Sequence, residues 1–232
     1  MPQPEDKPMT TVSEAVATRR SVRRFLPDPV SREVLARILD KARRAPSGGN
    51  LQPWRGVVLT GEPLDAVKSA VQARATLGPA AMEPEFRIFP ANLPSPWKDR
   101  KEAMGETLYG ALGIPREDEA GRRRQLLQNF HAFGAPVLMI VLIDRRFGPS
   151  QWADIGIWLQ TVMLLVREEG LDCCPQQSWS AHGPTIRATL GLGDDVLVYC
   201  GLAIGRRDPD APVNAFAMPR APLEETIEFR GF

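Results

Sequence analysis

The stretch RRAPSGGNLQPW, residues 43–54, places a proline, a serine, two adjacent glycines and an asparagine between a helical pattern and an apolar run. A much shorter turn would connect the same two elements. Ordering a segment of this kind costs roughly 1–2 kcal/mol of backbone entropy per residue. We therefore expect further contacts to hold it in place.

Two helices are predicted on the N-terminal side of this stretch. The first begins at Thr11, since Thr11 and Glu14 have the spacing of a capping box. The second begins after Ser31 and must end before Pro46, because the residue before a proline disfavours helix. Its apolar residues recur at helical spacing, at Val34, Leu35, Ile38, Leu39 and Ala42.

On the C-terminal side, the patterns predict strands over 56–60, 137–143 and 196–205, and helices around Leu64–Val71 and over 99–112, 118–133, 151–169 and 183–190. The helix over 151–169 is apolar nearly all round, so it must be buried in a core or against a second subunit. The tail after 205 is expected to be extended. Strands separated by helices indicate an α/β or α+β architecture.

The length of 232 residues fits a single domain, 1–232, with a proline-rich excursion over about 75–115. Five prolines fall between residues 75 and 100, which favours irregular structure at the surface. This segment either borders a binding site or is an extended linker between helices, and the composition alone leaves both readings open.

The charge is nearly balanced, with 29 basic and 28 acidic residues and a net charge of +1, so no global field favours nucleic acid or an anionic membrane. We expect no signal peptide and no membrane span. The three cysteines form neither an even framework nor a CxxC pair, which predicts reduced thiols and a cytoplasmic location. The two histidines are too few and too scattered for a metal site.

Three segments carry groups suited to a phosphorylated, flat ligand. RRSVRR, residues 19–24, supplies cations and a hydroxyl, although a solvated basic patch would look the same. The loop at 46–52 offers backbone N–H groups and polar side chains. The third segment follows the strand at 196–205 and includes Arg220 between two prolines. Because the GxGxxG and GxxxxGK[ST] patterns are absent, side chains must hold the phosphate.

The ordered pair TRRSVRRFLPDPV (18–30) and ARRAPSGGNLQPWRGVVL (42–59) resembles the opening of the FMN-dependent nitroreductase family. The similarity continues through 152–179 and from 200 into PLEE at 222–225, so it covers most of the chain. The proline-rich excursion and FGAPV at 133–137 are most similar to the nitrobenzoate-type and nitroaromatic-reducing members.

The resemblance implies an α+β, three-layer fold with a central, mostly antiparallel sheet flanked by helices, in an intertwined homodimer with two FMN sites at the interface. It implies NADPH or NADH as hydride donor, a nitroaromatic or quinone-like acceptor and a ping-pong mechanism. The flavin N5 then carries the chemistry, so neither a catalytic acid nor a metal is expected. The loop at 46–52 would contribute to the flavin site of the partner subunit, and this role would explain the length of the loop.

Carried over to this sequence, the family's site predicts phosphate contacts by Arg19, Ser21 and Arg220. Arg20 would hold the phosphate or the ribityl chain, and Arg23 would lie near the N1/O2 edge of the ring. The other subunit would supply Pro46, Ser47, Gly48, Asn50 and Gln52. The N5 side would be bordered by Pro175, Gln176, Gln177 and Ser178, with Asn129 at the pyrimidine edge and Gly205 allowing close approach.

This chain departs from the family pattern at three positions. Gly48 stands where a serine is frequent, Gln177-Ser178 where Glu-Gly is frequent, and Pro222 where some members have a second cation, for which Arg206 or Arg207 could substitute. The open face of the ring would be lined by Phe86, Trp97 or Tyr109. Two alternatives remain: another reaction on the same fold, such as dehalogenation, flavin destruction or azoline oxidation, and a non-catalytic flavin-binding redox sensor or scaffold.

Overall fold

The computed structural model describes residues 10–232, which form one antiparallel sheet between two layers of helices. The strands are β1 (Arg55–Leu59), β2 (Val137–Asp144), β3 (Asp172–Gln176) and β4 (Val196–Gly205), and their order in the sheet is β1-β2-β4-β3. The central strands β2 and β4 are covered on both faces. This explains their nearly continuous apolar sequences.

The helices in the described part of the chain are α1 (Val12–Thr18), α2 (Arg32–Ala42), α3 (Gly61–Ala75), α4 (Trp97–Ala111), α5 (Glu119–Leu127), α6 (Pro149–Glu168) and α7 (Gly183–Leu190). Successive side chains of β2 point to opposite faces of the sheet. Leu138 and Ile140 pack with residues of α3 and α7, whereas Met139 and Val141 pack with α2 and α6. The predicted α+β class with a three-layer arrangement is therefore confirmed.

Most predicted helix ends are also confirmed. At α1, the Glu14 backbone N–H donates to the Thr11 hydroxyl at 3.2 Å and the Glu14 carboxylate accepts from the Thr11 backbone at 2.7 Å, which completes the capping box. The Ser31 hydroxyl caps α2 by accepting from Val34 at 3.3 Å. Gly191 ends α7 in the left-handed conformation, with φ of 63°.

The predicted helix over 118–133 is wrong in its second half. Helix α5 ends at Leu127 and a 3₁₀ turn follows over Gln128–Gly134, where Ala132 and Phe133 have φ values of 49° and 54°. Phe133 is buried, and its carbonyl accepts a hydrogen bond from the Phe25 backbone at 3.1 Å. Packing against the segment around Phe25 therefore overrides the local helical pattern.

Strand β3 was not predicted, and the tail contains no strand among the described residues. The β3 sequence DCCPQ includes a proline, which is tolerated because β3 lies at an edge of the sheet, beside β4. In the tail, short 3₁₀ turns at Pro212–Asn214 and Leu223–Glu225 interrupt the chain. Ile227 and Phe229 are exposed there.

Helix α6 is only partly buried within one chain. Ile155, Trp158 and Val162 lie in the core, while Ile157 on another face is 45 % exposed. The chain's own core therefore accounts for one face of this apolar helix. Between residues 10 and 232, no helix is both long and apolar enough to cross a membrane.

The N-terminal half of the proline-rich excursion is attached to the core rather than free. Glu85 forms ion pairs with Arg145, which follows β2, and with Arg187 of α7. Phe86 packs edge-on against Trp152 of α6 at 4.8 Å between ring centroids. By contrast, helix α4 at the C-terminal end of the excursion has no buried residue.

Candidate active site

A cavity of about 600 Å³ opens where the end of α1, helix α4 and the segment 213–220 meet. Five arginines line it, namely Arg19, Arg20, Arg23, Arg100 and Arg220. Ser21 and Asn214 also line the cavity, and none of its lining residues within 10–232 is acidic. Such a set of donors suits an anionic ligand, and phosphate above all.

The sheet edge fixes the arginine box, residues 19–24. The box runs in extended conformation beside β3: Ser21 forms a bridge with Cys173, and the Val22 backbone N–H donates to the Cys173 carbonyl at 3.1 Å. Alternate side chains of an extended segment point in opposite directions. Val22 is buried in the core, whereas Ser21 and Arg23 on either side of it are half-buried, and all three border the cavity.

Asn214 joins the arginine box to the C-terminal segment. Its side-chain oxygen accepts from the Arg23 backbone at 2.9 Å, and its amide donates to the carbonyls of Arg24 at 2.8 Å and Asp208 at 2.9 Å. Asn214 is buried. The sequence patterns did not single it out, because its three partners come together only in the folded chain.

Three of the arginines that the resemblance assigns to the FMN site keep donors available for a ligand. Arg20 donates to the carbonyls of Ala215 and Phe216, and Arg23 donates to the Ser21 carbonyl. Arg220 donates from one nitrogen to the carbonyls of Met218 and Pro219. Each contact uses only Nη1 of a guanidinium that carries five N–H groups, so the others can bind an anion.

The segment at the end of β3 is held by hydrogen bonds of the buried Gln176 and the half-buried Gln177. The Gln176 side chain donates to the Asn129 carbonyl at 2.8 Å and accepts from the Trp179 ring N–H at 3.2 Å. Both Asn129 and Gln176 therefore make contacts within the chain, and a ligand contact by either side chain stays a prediction. Gln177 donates to the Tyr199 carbonyl at 2.6 Å. The partly exposed Ser178 follows it.

Strand β3 sets the distance between the start of the arginine box and the backbone at 177–178. Val22 binds Cys173 near the start of β3, and Gln177 follows the strand, four residues later. At about 3.3 Å per residue this corresponds to roughly 13 Å. The bridge between Ser21 and Cys173 is parallel, so the arginine box runs along β3 from near the start of the strand toward the 177–178 backbone.

The loop at 46–52 does not line the arginine cavity of its own chain. The Gly48 backbone N–H donates to the buried carboxylate of Asp154 on α6, at 3.2 and 3.3 Å to its two oxygens. The Ser47 hydroxyl accepts from the Gln52 backbone at 3.0 Å. Asn50 is exposed and has a φ of 54°. The loop is therefore held against α6 with polar groups directed outward or toward its own backbone.

Packing explains the glycine at 205 without a ligand. A Cβ there would lie 2.8 Å from Cδ of Pro136 and 3.2 Å from the Phe25 ring. Neither Arg206 nor Arg207, the two candidates for a second cation beside Arg220, lines the cavity of this chain, and the Arg207 Nε donates to the buried Asp172 at 3.0 Å. Asp172 also accepts from Arg167 at 2.8 Å.

The three cysteines are buried free thiols in the described chain. Burial raises the pKa of Cys174 to about 11, although Arg23 and Arg19 act in the opposite direction. Burial likewise raises the pKa of Cys173, and that of Cys200 to about 12. All three stay protonated near neutral pH, so none provides a thiolate nucleophile beside the cavity.

Comparison with known proteins supports the family resemblance that was inferred from the sequence. A model described as the Nitroreductase family matches residues 16–206. The chain belongs to the Nitroreductase family.

Relatives within the Nitroreductase family match over nearly the whole chain. The 4-nitrobenzoate reductase of Pseudomonas putida is 42 % identical over 217 residues, which cover 94 % of this chain and 94 % of that protein. The nitrobenzene nitroreductase of Ectopseudomonas oleovorans is 37 % identical over 218 residues, with coverage of 94 % and 96 %.

Solved structures of nitroreductases superpose closely. The FMN and NADPH-dependent nitroreductase NfnB from Sphigopyxis sp. strain HMH has a TM-score of 0.94 and 53 % identity, covering 96 % of this chain and 100 % of that one. The FMN-dependent NfnB from Mycobacterium smegmatis, in complex with NADPH, has a TM-score of 0.90 and 29 % identity, with coverage of 94 % and 97 %. The predicted family and fold are therefore confirmed.

The family match covers only part of the lining of the arginine cavity. The arginine box lies within residues 16–206, whereas Asn214 and Arg220 lie beyond them. The three residues proposed for the open ring face occupy different surroundings: Phe86 packs on Trp152, Trp97 is exposed at the start of α4, and Tyr109 lies under the Arg122 guanidinium at 4.3 Å.

Proposed function

We propose that this protein is an FMN-dependent oxidoreductase that uses NAD(P)H to reduce nitroaromatic or quinone-like acceptors. The observation that carries the proposal is the convergence of Arg19, Arg20, Arg23 and Arg220 on one cavity, as the family resemblance predicts. The names of the relatives, which include reductases of nitrobenzoate and nitrobenzene, support the acceptor class.

The residues present fit the phosphate end of FMN. A phosphate monoester carries nearly two negative charges near neutral pH, and guanidinium groups bind its oxygens in pairs. The cavity offers five guanidinium groups and the Ser21 hydroxyl, with no carboxylate among the described lining residues. Its volume of about 600 Å³ lies in the usual range of ligand sites.

The chain's own groups would bind and orient the cofactor. Bound FMN would supply the redox chemistry, by accepting a hydride and passing two electrons to the acceptor. Asn214 holds the backbone N–H of Arg23, and the Arg23 cation would favour negative charge on a bound flavin ring. The backbone at 177–178 lies next to the Gln176–Trp179 hydrogen bond and would provide a donor at the C-terminal end of β3.

We also propose a homodimer in which each 46–52 loop completes the site of the other subunit. The loop lies outside the arginine cavity of its own chain, which leaves its exposed polar groups available to a second copy. An apolar surface supports the same assembly: helices α1 and α6 pack together, and Val12, Val16 and Ile157 on them are 75, 55 and 45 % exposed. Exposed apolar side chains from neighbouring helices are typical of a subunit interface.

Steady-state kinetics test the proposed reaction. NADPH and NADH are varied against 4-nitrobenzoate, nitrobenzene and a benzoquinone, with the protein loaded with FMN. A ping-pong mechanism predicts parallel lines in double-reciprocal plots, and Arg19→Gln should lower the FMN content without unfolding the chain. Absence of nicotinamide-dependent reduction of every acceptor by an FMN-loaded protein would reject the reaction.

A further inference from the structure

Helix α4 brings one cation into the arginine cavity that the family resemblance does not predict. Arg100 and Met104, one turn apart on α4, both line the cavity. The helix is otherwise a surface element with no buried residue, and it packs on the turn Pro212–Asn214. That turn contains Asn214, which holds the arginine box. The excursion is thus in direct contact with the predicted phosphate site.

The partner of Arg100 can be displaced. Its guanidinium donates to the Glu225 carboxylate at 2.6 Å, and the two side chains are 41 and 48 % exposed. An ion pair at this exposure contributes little to stability because solvent screens it. A phosphate dianion beside Arg19, Arg20 and Arg220 is a stronger acceptor than a single exposed carboxylate.

We propose that Arg100 is a further phosphate-binding residue, an inference that rests on the proposed function. When FMN binds, the Arg100 side chain exchanges its ion pair with Glu225 for a contact with the phosphate monoester, which couples flavin binding to the position of α4. Arg100 adds a cation from the excursion to those of Arg19 and Arg20 in the box and Arg220 in the tail. Arg100 recognises the 5′-phosphate of FMN. It does not take part in binding the ring or the ribityl chain.

Flavin titrations measure this directly. The full-length chain is stripped of flavin, and the dissociation constants of FMN and riboflavin are measured by flavin fluorescence for the wild type and for Arg100→Gln. Loss of one charge-assisted contact predicts FMN binding weaker by about tenfold or more. Riboflavin binding should not change, and the dependence of FMN affinity on salt should become shallower.

Two further variants separate phosphate binding from a purely structural role. Glu225→Gln removes the competitor of Arg100, so FMN binding should stay the same or tighten. Lys98→Gln is the matched control, because Lys98 on the same helix does not line the cavity and pairs with Glu102 at 3.9 Å. It should leave both flavin affinities unchanged.

Three outcomes would overturn the proposal. The first is an unchanged FMN affinity in Arg100→Gln when the wild type binds FMN. The second is equal weakening of FMN and riboflavin by both Arg100→Gln and Glu225→Gln, which would show a structural ion pair. The third is an increased KM for NADPH with unchanged FMN affinity, which would assign Arg100 to the dinucleotide. A wild type that binds neither flavin would instead reject the proposed function itself.

Discussion

The side-chain oxygen of Asn214 accepts the backbone N–H of Arg23 at 2.9 Å, so a residue beyond the family match fixes the backbone of the arginine box. Asn214→Ala removes this acceptor and the donors to the carbonyls of Arg24 and Asp208. We expect a loss of about 1–3 kcal/mol in the free energy of unfolding, together with weaker FMN binding.

Urea denaturation and FMN titration measure both effects. Asn214→Asp is the informative companion, since it keeps the acceptor for Arg23 but replaces two donors by a carboxylate facing two carbonyls. It should be at least as destabilising as the alanine variant. Stabilities equal to that of the wild type in both variants would contradict this account of Asn214.

Gly201 on β4 leaves room for the fully buried ring of Trp179. A Cβ at position 201 would overlap the Trp179 ring, so Gly201→Ala should destabilise the protein by about 1–3 kcal/mol through overpacking. It should also displace the neighbouring 177–178 backbone and shift the absorbance of bound flavin.

Gly110→Ala is the control for this substitution. Gly110 lies in α4, and nothing comes within 4 Å of its added Cβ. Alanine is favoured over glycine in a helix by roughly 0.5–1 kcal/mol, so this variant should be as stable as the wild type or more so. Thermal unfolding of the pair distinguishes a local clash from a general intolerance of alanine.

His182 predicts a pH dependence of stability. It is fully buried against Phe130, and burial lowers its pKa from the usual 6.5, with Arg74 acting in the same direction and Glu83 opposing both. As the pH falls below 6.5, the unfolded chain binds a proton that the folded chain does not. The folded state should therefore lose stability over this range, by up to about 1.4 kcal/mol per pH unit until the folded pKa is reached.

Urea denaturation between pH 5 and 8 measures this slope in the wild type and in His182→Phe. The phenylalanine variant should show a flatter profile. Equal slopes in the wild type and His182→Phe would show that other groups cause the pH dependence.

The shared-site arrangement predicts complementation between two defective chains. Asn50→Ala and Arg220→Ala homodimers should each bind FMN poorly, because every site lacks one group. A mixed dimer places both substitutions in one site and leaves the other intact, so it should bind one FMN with wild-type affinity. Co-expression with two affinity tags isolates this mixed dimer, and a mixed dimer that binds no better than its parents would contradict a site built from two chains.

The sequence was most informative where local signals agree with the fold. The caps at Thr11 and Ser31 mark helix starts, and the continuous apolar runs of β2 and β4 mark the buried centre of the sheet. The arginine box was recognised because its residues are adjacent in sequence. These features depend on spacing alone.

The features that were missed depend on contacts between distant segments. Strand β3 carries Pro175 and has no alternation, and its pairing with β4 defines it. The turn at Phe133 is stabilised by the hydrogen bond from the Phe25 backbone N–H to the Phe133 carbonyl. Asn214 lies 190 residues beyond Arg24, and Arg100 lies 77 residues beyond Arg23, yet both Asn214 and Arg100 line the arginine cavity. No local sequence pattern indicates such proximity.

The central claim is that the chain holds a flavin that nicotinamide reduces and an acceptor reoxidises. Anaerobic absorbance spectra of the purified protein test it most directly, before and after addition of NADPH or NADH and then of 4-nitrobenzoate. The account predicts a yellow protein that bleaches with the nicotinamide and regains its colour with the acceptor. A colourless protein that takes up no added FMN, or a bound flavin that neither nicotinamide reduces, would contradict it.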